Sequence, residues 1–180
     1  MLRISGGKYR SRIIETPIEG TVPTKNRVRE AMMNALQNDL PNGEVLDLFA
    51  GSGALGIEGL SRGAKCAVFV DQAPMAQRII ANNLTTLKAE NATLLRCDAL
   101  SALKKLAEEK RQFDVIFLDP PYAMLNLYLD SVRLISELGL LKEDGALVVE
   151  YEGDAPSDFA EYSRQRMYNY GRTHVLLLRK

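Results

Sequence analysis

From residue 45 onward the chain alternates short apolar runs with helical stretches, and this alternation restricts the fold more than any other feature. Strand-like runs fall at 45–49, 66–70, 93–96 and 113–118, and helical spacing at 54–62, 74–87, 100–109 and 125–138. Strands that are apolar along nearly their whole length have to be covered on both faces, which implies a parallel sheet between two layers of helices. A fifth run at 146–151 extends the sheet. Runs at 164–168 and 173–178 read as an antiparallel hairpin around Asn169-Tyr170-Gly171. Ahead of the alternation, residues 2–5 and 11–16 flank Gly6-Gly7 as a basic β-hairpin, and Thr24 offers a cap for a helix over 25–37. With 180 residues the chain suits one compact α/β domain, a core over 23–180 preceded by a small extension over 1–22.

The first long strand runs directly into a glycine turn and a helix: Glu44-Val45-Leu46-Asp47-Leu48-Phe49-Ala50-Gly51-Ser52-Gly53-Ala54-Leu55-Gly56. Such a loop lets backbone N–H groups at a helix start face a small polar ligand. Gly51, Gly53 and Gly56 satisfy the dinucleotide spacing, and Asp71 follows twenty positions after Gly51. Asp47, however, sits four positions before Gly51, where a carboxylate turned toward the loop repels a pyrophosphate and attracts a cation. S-adenosylmethionine carries both an ammonium and a sulfonium group, so it suits this loop better than NAD. The plainer alternative for Asp47 is a carboxylate that only caps loop amides.

In an open parallel sheet the ligand lies beyond the carboxyl ends of the strands, and here an acid follows each of four strands: Asp47, Asp71, Asp98 and Asp119. Asp71 is placed to accept both ribose hydroxyls. Asp98 is placed to accept an adenine amine, with the Ala99 N–H on a ring nitrogen, and it equally reads as a helix cap. Phe49, Ala50, Ser52 and Gln72 complete the candidate cofactor set. Asp119-Pro120-Pro121-Tyr122 follows the fourth strand. Two prolines stop the strand and stiffen the loop. The Asp119 side chain and the Pro120 main-chain oxygen can then hold the two hydrogens of an exocyclic base amine, while Tyr122 stacks on the base.

Net charge is zero, yet residues 1–29 hold seven basic and two acidic side chains and residues 162–180 hold five basic and none acidic. Two basic ends flanking an acidic middle suit a nucleic-acid contact. Arg3, Lys8, Arg10, Arg12, Arg27 and Arg29 are the candidate cations, on an arm expected to lie apart from the cofactor loop. Cys66 and Cys97 fall singly in apolar runs and read as core thiols, with no metal site suggested. No long hydrophobic span exists, which leads to the expectation of a soluble cytoplasmic monomer away from membranes.

The segments 46–53 and Asp119-Pro120-Pro121-Tyr122 resemble class I S-adenosylmethionine-dependent amino-methyltransferases. More narrowly, Ile4-Ser5-Gly6-Gly7, Pro23-Thr24, Arg27-Val28-Arg29-Glu30-Ala31, Leu60-Ser61-Arg62-Gly63-Ala64 and residues 117–122 resemble the bacterial small-subunit ribosomal RNA guanine-N2 methyltransferase family, over nearly the whole chain. The chain departs from that pattern at Val22 and Asn26, where arginine and aspartate are usual, and at Asp71, where glutamate is common. The resemblance implies a Rossmann-like class I methyltransferase fold, a mostly parallel seven-stranded sheet ending in an antiparallel hairpin. It also implies methyl transfer from S-adenosylmethionine to the N2 amine of a guanine in 16S ribosomal RNA, on an assembled or assembling small ribosomal subunit. A DNA adenine-N6 or cytosine-N4 methyltransferase shares the Asp-Pro-Pro-Tyr logic, but 180 residues leave little room to read bases in the grooves. An NAD-binding oxidoreductase is disfavoured by Asp47 and the double proline.

Overall fold

In a computed structural model, which describes residues 1–17, 23–120, 125–153, 159 and 162–180, the expected alternation is present in chain order. A two-stranded ribbon, β1 (Leu2–Arg3) and β2 (Ile13–Ile14), precedes helix α1 (Pro23–Ala35). Then follow β3 (Glu44–Asp47), α2 (Ala54–Ser61), β4 (Cys66–Val70), α3 (Pro74–Leu87), β5 (Ala92–Leu95), α4 (Ala99–Glu108), β6 (Phe113–Leu118) and α5 (Leu125–Glu137). The chain closes with β7 (Leu141–Glu152), β8 (Arg164–Tyr170) and β9 (Thr173–Arg179). The main sheet has seven strands in the order β5-β4-β3-β6-β7-β9-β8. The pairs from β5 to β7 are parallel, and β9 runs antiparallel to both β7 and β8.

Strand alternation divides the core into two layers. Leu46, Val68, Ile116 and Leu147 meet Leu103 and Leu106 of α4 and Val132 and Ile135 of α5 on one face. Val45, Phe69, Phe117 and Val148 meet Met32 of α1, Ile57 of α2 and Ile80 of α3 on the other. Phe69, Phe113 and Phe117 have no exposed surface, and full burial of a side chain that size contributes about 1.5–3 kcal/mol. Gly56 marks a tight helix–sheet contact: a Cβ there would come within 2.3 Å of the Phe69 ring.

Three boundaries differ from the sequence reading for identifiable reasons. Strand β7 begins at Leu141, because Leu141 pairs with Phe113 ahead of a register shift, and Lys142-Glu143-Asp144-Gly145, turn-like in composition, leave the ladder until Ala146 pairs with Val115. Helix α1 begins at Pro23, so Thr24 lies in its first turn and is not its cap; proline suits that position because its missing N–H is unpaired there anyway. The N-terminal ribbon pairs Leu2 with Ile14 and Arg3 with Ile13, Ile4 adds backbone bonds to Arg12 and Ser11, and Gly7–Tyr9 forms a 3-10 turn between them.

The ribbon is not a detached arm. Ile4, Tyr9 and Ile14 are buried in the same layer as α1, α2 and α3. Beneath it lies Glu58 of α2, a carboxylate with no exposed surface. Its Oε1 accepts from the Ser5 N–H at 2.7 Å and from Arg29 Nε at 3.2 Å, and its Oε2 accepts from Ser5 Oγ at 3.0 Å and Arg62 Nε at 3.5 Å. Buried charge of this kind persists only when every lone pair finds a donor. Gly7 approaches so closely that a Cβ would overlap the Ser61 carbonyl, which explains glycine at this turn.

Candidate active site

The parallel register levels the strand ends, with Asp47 opposite Phe69 on β4 and Phe117 on β6. The following loops therefore open at one edge of the sheet, and an open cleft of about 720 Å³ lies there. Among its lining residues are Phe49, Gly51, Asp71, Gln72, Asp98, Ala99, Asp119 and Pro120. Six of the ten candidate cofactor residues and two of the three candidate catalytic ones are thus brought together. Tyr122 and Pro121 lie outside the described residues.

Two carboxylates fasten the glycine loop and the helix that follows it. Asp71 accepts the Gly51 N–H on Oδ2 at 2.9 Å and the Ala73 N–H on Oδ1 at 2.8 Å, which leaves each oxygen a further lone pair toward the cleft. Asp47 accepts the Gly56 N–H on Oδ2 at 2.9 Å and is only 2% exposed. This corrects the expectation of a carboxylate turned toward a ligand, since Asp47 lies beneath the loop and is not among the cleft-lining residues. Burial pushes its carboxyl up to about 7; the Gly56 N–H opposes that and the Asp71 charge adds to it. Ala50 is buried, Ser52 offers its carbonyl to Asn83 Nδ2 at 2.9 Å, and Gly53 precedes α2 with φ of 79°; none of the three lines the cleft.

The raised Asp47 has a consequence for stability. The folded chain keeps a proton that the unfolded chain releases between the ordinary carboxylate value of 3.8 and about 7, so the contribution of Asp47 falls as pH rises through that window. Asp47→Asn keeps an acceptor for Gly56 without the buried charge. Thermal melting of this variant should lose part of the alkaline decline and show a gain of roughly 1–3 kcal/mol at pH 8; equal melting temperatures at pH 5 and pH 8 for both proteins would remove the effect.

Asp98 caps α4 by accepting the Ser101 N–H at 2.9 Å, and bonds from the Ser101 side chain and N–H hold its carboxyl below the usual range. Capping and cleft-lining coexist here. The Ala99 N–H, first in the helix, has no carbonyl four residues back to bond. Sequence reading missed Pro17, Met75, Cys97 and Leu127, which also line the cleft. Met75 had a sequence signal, an apolar residue at a helix start three positions after Gln72, and the structure leaves it 65% exposed in the first turn of α3. Cys97 is half-buried at the cleft wall and is not a core thiol; burial raises its thiol pKa.

Of the candidate cations, Arg3, Lys8, Arg10, Arg12 and Arg27 are exposed. Lys8 Nζ lies 4.8 Å from the centre of the Tyr9 ring. Arg29 does not belong with them. It is 5% exposed and donates from Nε to Glu58, from Nη1 to Asn26 Oδ1 at 3.1 Å and from Nη2 to the Arg3 carbonyl at 2.9 Å. Sharing the Glu58 carboxylate with Ser5, and bonded to Asn26 three residues back and to the Arg3 carbonyl, it belongs to the ribbon junction. His174 lies on β9, stacked on Tyr151 with centroids 5.2 Å apart. Among the described residues no helix is long and apolar enough to cross a membrane.

Residues 2–179 match the family model described as conserved hypothetical protein 95. The chain is 36% identical over 152 residues to ribosomal RNA small subunit methyltransferase D of Escherichia coli strain K12, covering 84% of this chain and 75% of that protein. To the protein of the same name in Haemophilus influenzae it is 38% identical over 160 residues, covering 86% and 81%. Among solved structures, yhhF of Escherichia coli superposes with a TM-score of 0.86 at 33% identity, over 99% of this chain and 98% of that one. A 16S rRNA N2 G1207 methyltransferase of Thermus thermophilus, solved with AdoMet and guanosine, shares the fold at TM-score 0.73 and 20% identity, over 91% of this chain and 44% of that one.

Proposed function

Since the chain belongs to the conserved hypothetical protein 95 family, and to that of the ribosomal RNA small subunit methyltransferase D proteins, we propose that it methylates ribosomal RNA with S-adenosylmethionine. The acceptor in this proposal is the exocyclic N2 amine of a guanine in 16S ribosomal RNA on the small subunit. The observation that carries it is the convergence of Asp71, Asp98, Asp119 and Pro120 on one cleft at the carboxyl edge of the sheet.

The lining suits the cofactor chemically. Asp71 has lone pairs left for two ribose hydroxyls, Asp98 and the Ala99 N–H offer an acceptor and a donor to adenine, and Phe49, Met75 and Leu127 offer apolar surface to a ring. When bound, S-adenosylmethionine supplies a methyl group on a sulfonium sulfur. The residues of the chain supply position. A base amine is a poor nucleophile because its lone pair is delocalised into the ring. Asp119 and the Pro120 carbonyl accept hydrogen bonds from its two N–H groups, which loosens the lone pair from the ring and directs it toward the cofactor side of the cleft. Phosphates near the target are held by the exposed cations Arg3, Lys8, Arg10, Arg12 and Arg27.

The test is transfer of labelled methyl from S-adenosylmethionine to small subunits that lack the modification, with identification of the nucleoside formed. N2-methylguanosine in the small-subunit RNA is the expected product, and its absence while another base is labelled would overturn the assignment. Asp71→Ala serves as the cofactor-side check. Loss of charge-assisted ribose bonds contributing roughly 1.5–3 kcal/mol should weaken S-adenosylmethionine binding by one to two orders of magnitude. An unchanged dissociation constant would take Asp71 out of the site.

A further inference from the structure

We propose that Asn83 is a positioning residue that couples the N-terminal RNA-facing arm to the cofactor loop, so that RNA engagement by the arm strengthens cofactor binding. The reading rests on the proposed function, and goes beyond it by joining two sites that the sequence alone places apart.

Asn83 sits on α3 and is 2% exposed. Its amide makes three hydrogen bonds, to two residues from different parts of the chain. Oδ1 accepts the Glu15 N–H at 2.8 Å, while Nδ2 donates to the Glu15 carbonyl at 3.0 Å and to the Ser52 carbonyl at 2.9 Å. One main-chain donor and two main-chain acceptors surround the group, so only one orientation of the amide satisfies all three. The Glu15 pair of bonds imitates a strand pairing, which holds the arm where it leaves β2. The third bond reaches the loop: Ser52 lies between Gly51, whose N–H is held by Asp71, and Gly53, from which α2 starts.

The arm end and the loop meet the same cleft. Pro17, two residues beyond Glu15, lines it together with Gly51. A displacement of the arm therefore moves one wall of the cleft directly and the loop through a single buried amide. Arg12 adds a second tie, donating from Nη2 to the Thr86 carbonyl of α3 at 3.2 Å. When phosphates engage Arg3, Lys8, Arg10 and Arg12 on the packed ribbon, the segment leaving β2 at Glu15 is restrained further, and the Glu15–Asn83–Ser52 bridge carries that restraint to the loop. Coupling of this kind is reciprocal, so cofactor must strengthen RNA binding by the same factor.

The experiment measures the dissociation constant of S-adenosylmethionine for the full chain, alone and with saturating unmodified small subunits, for wild type, Asn83→Ala and Asn83→Asp. Thermal melting accompanies each protein. Wild type should bind cofactor at least about fivefold more tightly with subunits present. Asn83→Ala should bind each partner separately with the factor reduced to near one. If Asn83→Ala does not fold, Asn83→Asp decides, because it keeps the acceptor for the Glu15 N–H and lacks the donor both to Ser52 and to the Glu15 carbonyl. A folded Asn83→Asp that binds subunits and shows a factor near one supports the bridge. Wild-type coupling in either folded variant, or no coupling in the wild type, overturns it. Failure of the wild type to bind S-adenosylmethionine at all would instead sink the functional reading.

Discussion

Asp119→Ala is expected to slow methyl transfer to the small subunit by roughly a hundredfold to a thousandfold while S-adenosylmethionine still binds. The magnitude follows from the task assigned to the side chain. Removal of one positioned transition-state hydrogen bond typically costs about 2.7–4 kcal/mol. Asp119 stands two residues past Phe117, at the cleft and beside the buried Pro120, and its charge reaches the buried Tyr128, raising that hydroxyl's pKa further after burial. Asp119→Asn separates two roles. An amide oxygen still accepts a hydrogen from the target amine, so Asn should retain more activity than Ala if orientation is what matters. If Asn is as inactive as Ala, with both folded and both binding cofactor, the negative charge is needed, and Asp119 responds to positive charge developing on the amine. A rate within threefold of wild type for Ala would remove Asp119 from the chemistry.

The fold was legible because its signal is long and periodic. Near-continuous apolar strands such as 113–118, separated by amphipathic helices, admit few arrangements, and the acids that follow those strands reached one edge because parallel register levels strand ends. What could not be read is what side chains do after the topology is fixed. Asp47 and Asp71 carry the same chemistry at corresponding strand ends, yet one is sealed under α2 by the Gly56 N–H and the other opens to the cleft. Arg27 and Arg29 differ by two positions, which on a helix is most of the way to opposite faces: one is exposed and the other meets a buried glutamate fifty-three residues from its other partner, Ser5. Asn83 gave no signal at all. One of two adjacent asparagines within an amphipathic helix looks like any polar face position, and its importance comes from Glu15 and Ser52, which only the tertiary structure brings to it.

Arg29→Ala is expected to destabilise the chain by about 3–5 kcal/mol, because it leaves the Glu58 carboxylate buried with its best cation gone. Arg62 does not replace it, since its Nε stands at 3.5 Å and its side chain is partly exposed. The same substitution also removes the bond to the Arg3 carbonyl, loosening the ribbon from α1. For a chain of this length the loss corresponds to a fall in Tm of roughly 10 °C. Arg27→Ala is the matched comparison, one helical face away and exposed. It should melt within about 0.5 kcal/mol of wild type, bind RNA more weakly, and lower the salt dependence of binding by the share of about one phosphate contact. A double change, Arg29→Met with Glu58→Gln, distinguishes a lost ion pair from lost packing. By removing both charges and keeping similar volume it should recover much of the stability that Arg29→Ala loses. Wild-type melting for Arg29→Ala together with weakened RNA binding would reverse the assignment, returning Arg29 to the RNA-contacting cations and leaving Glu58 adequately held by Ser5 and Arg62.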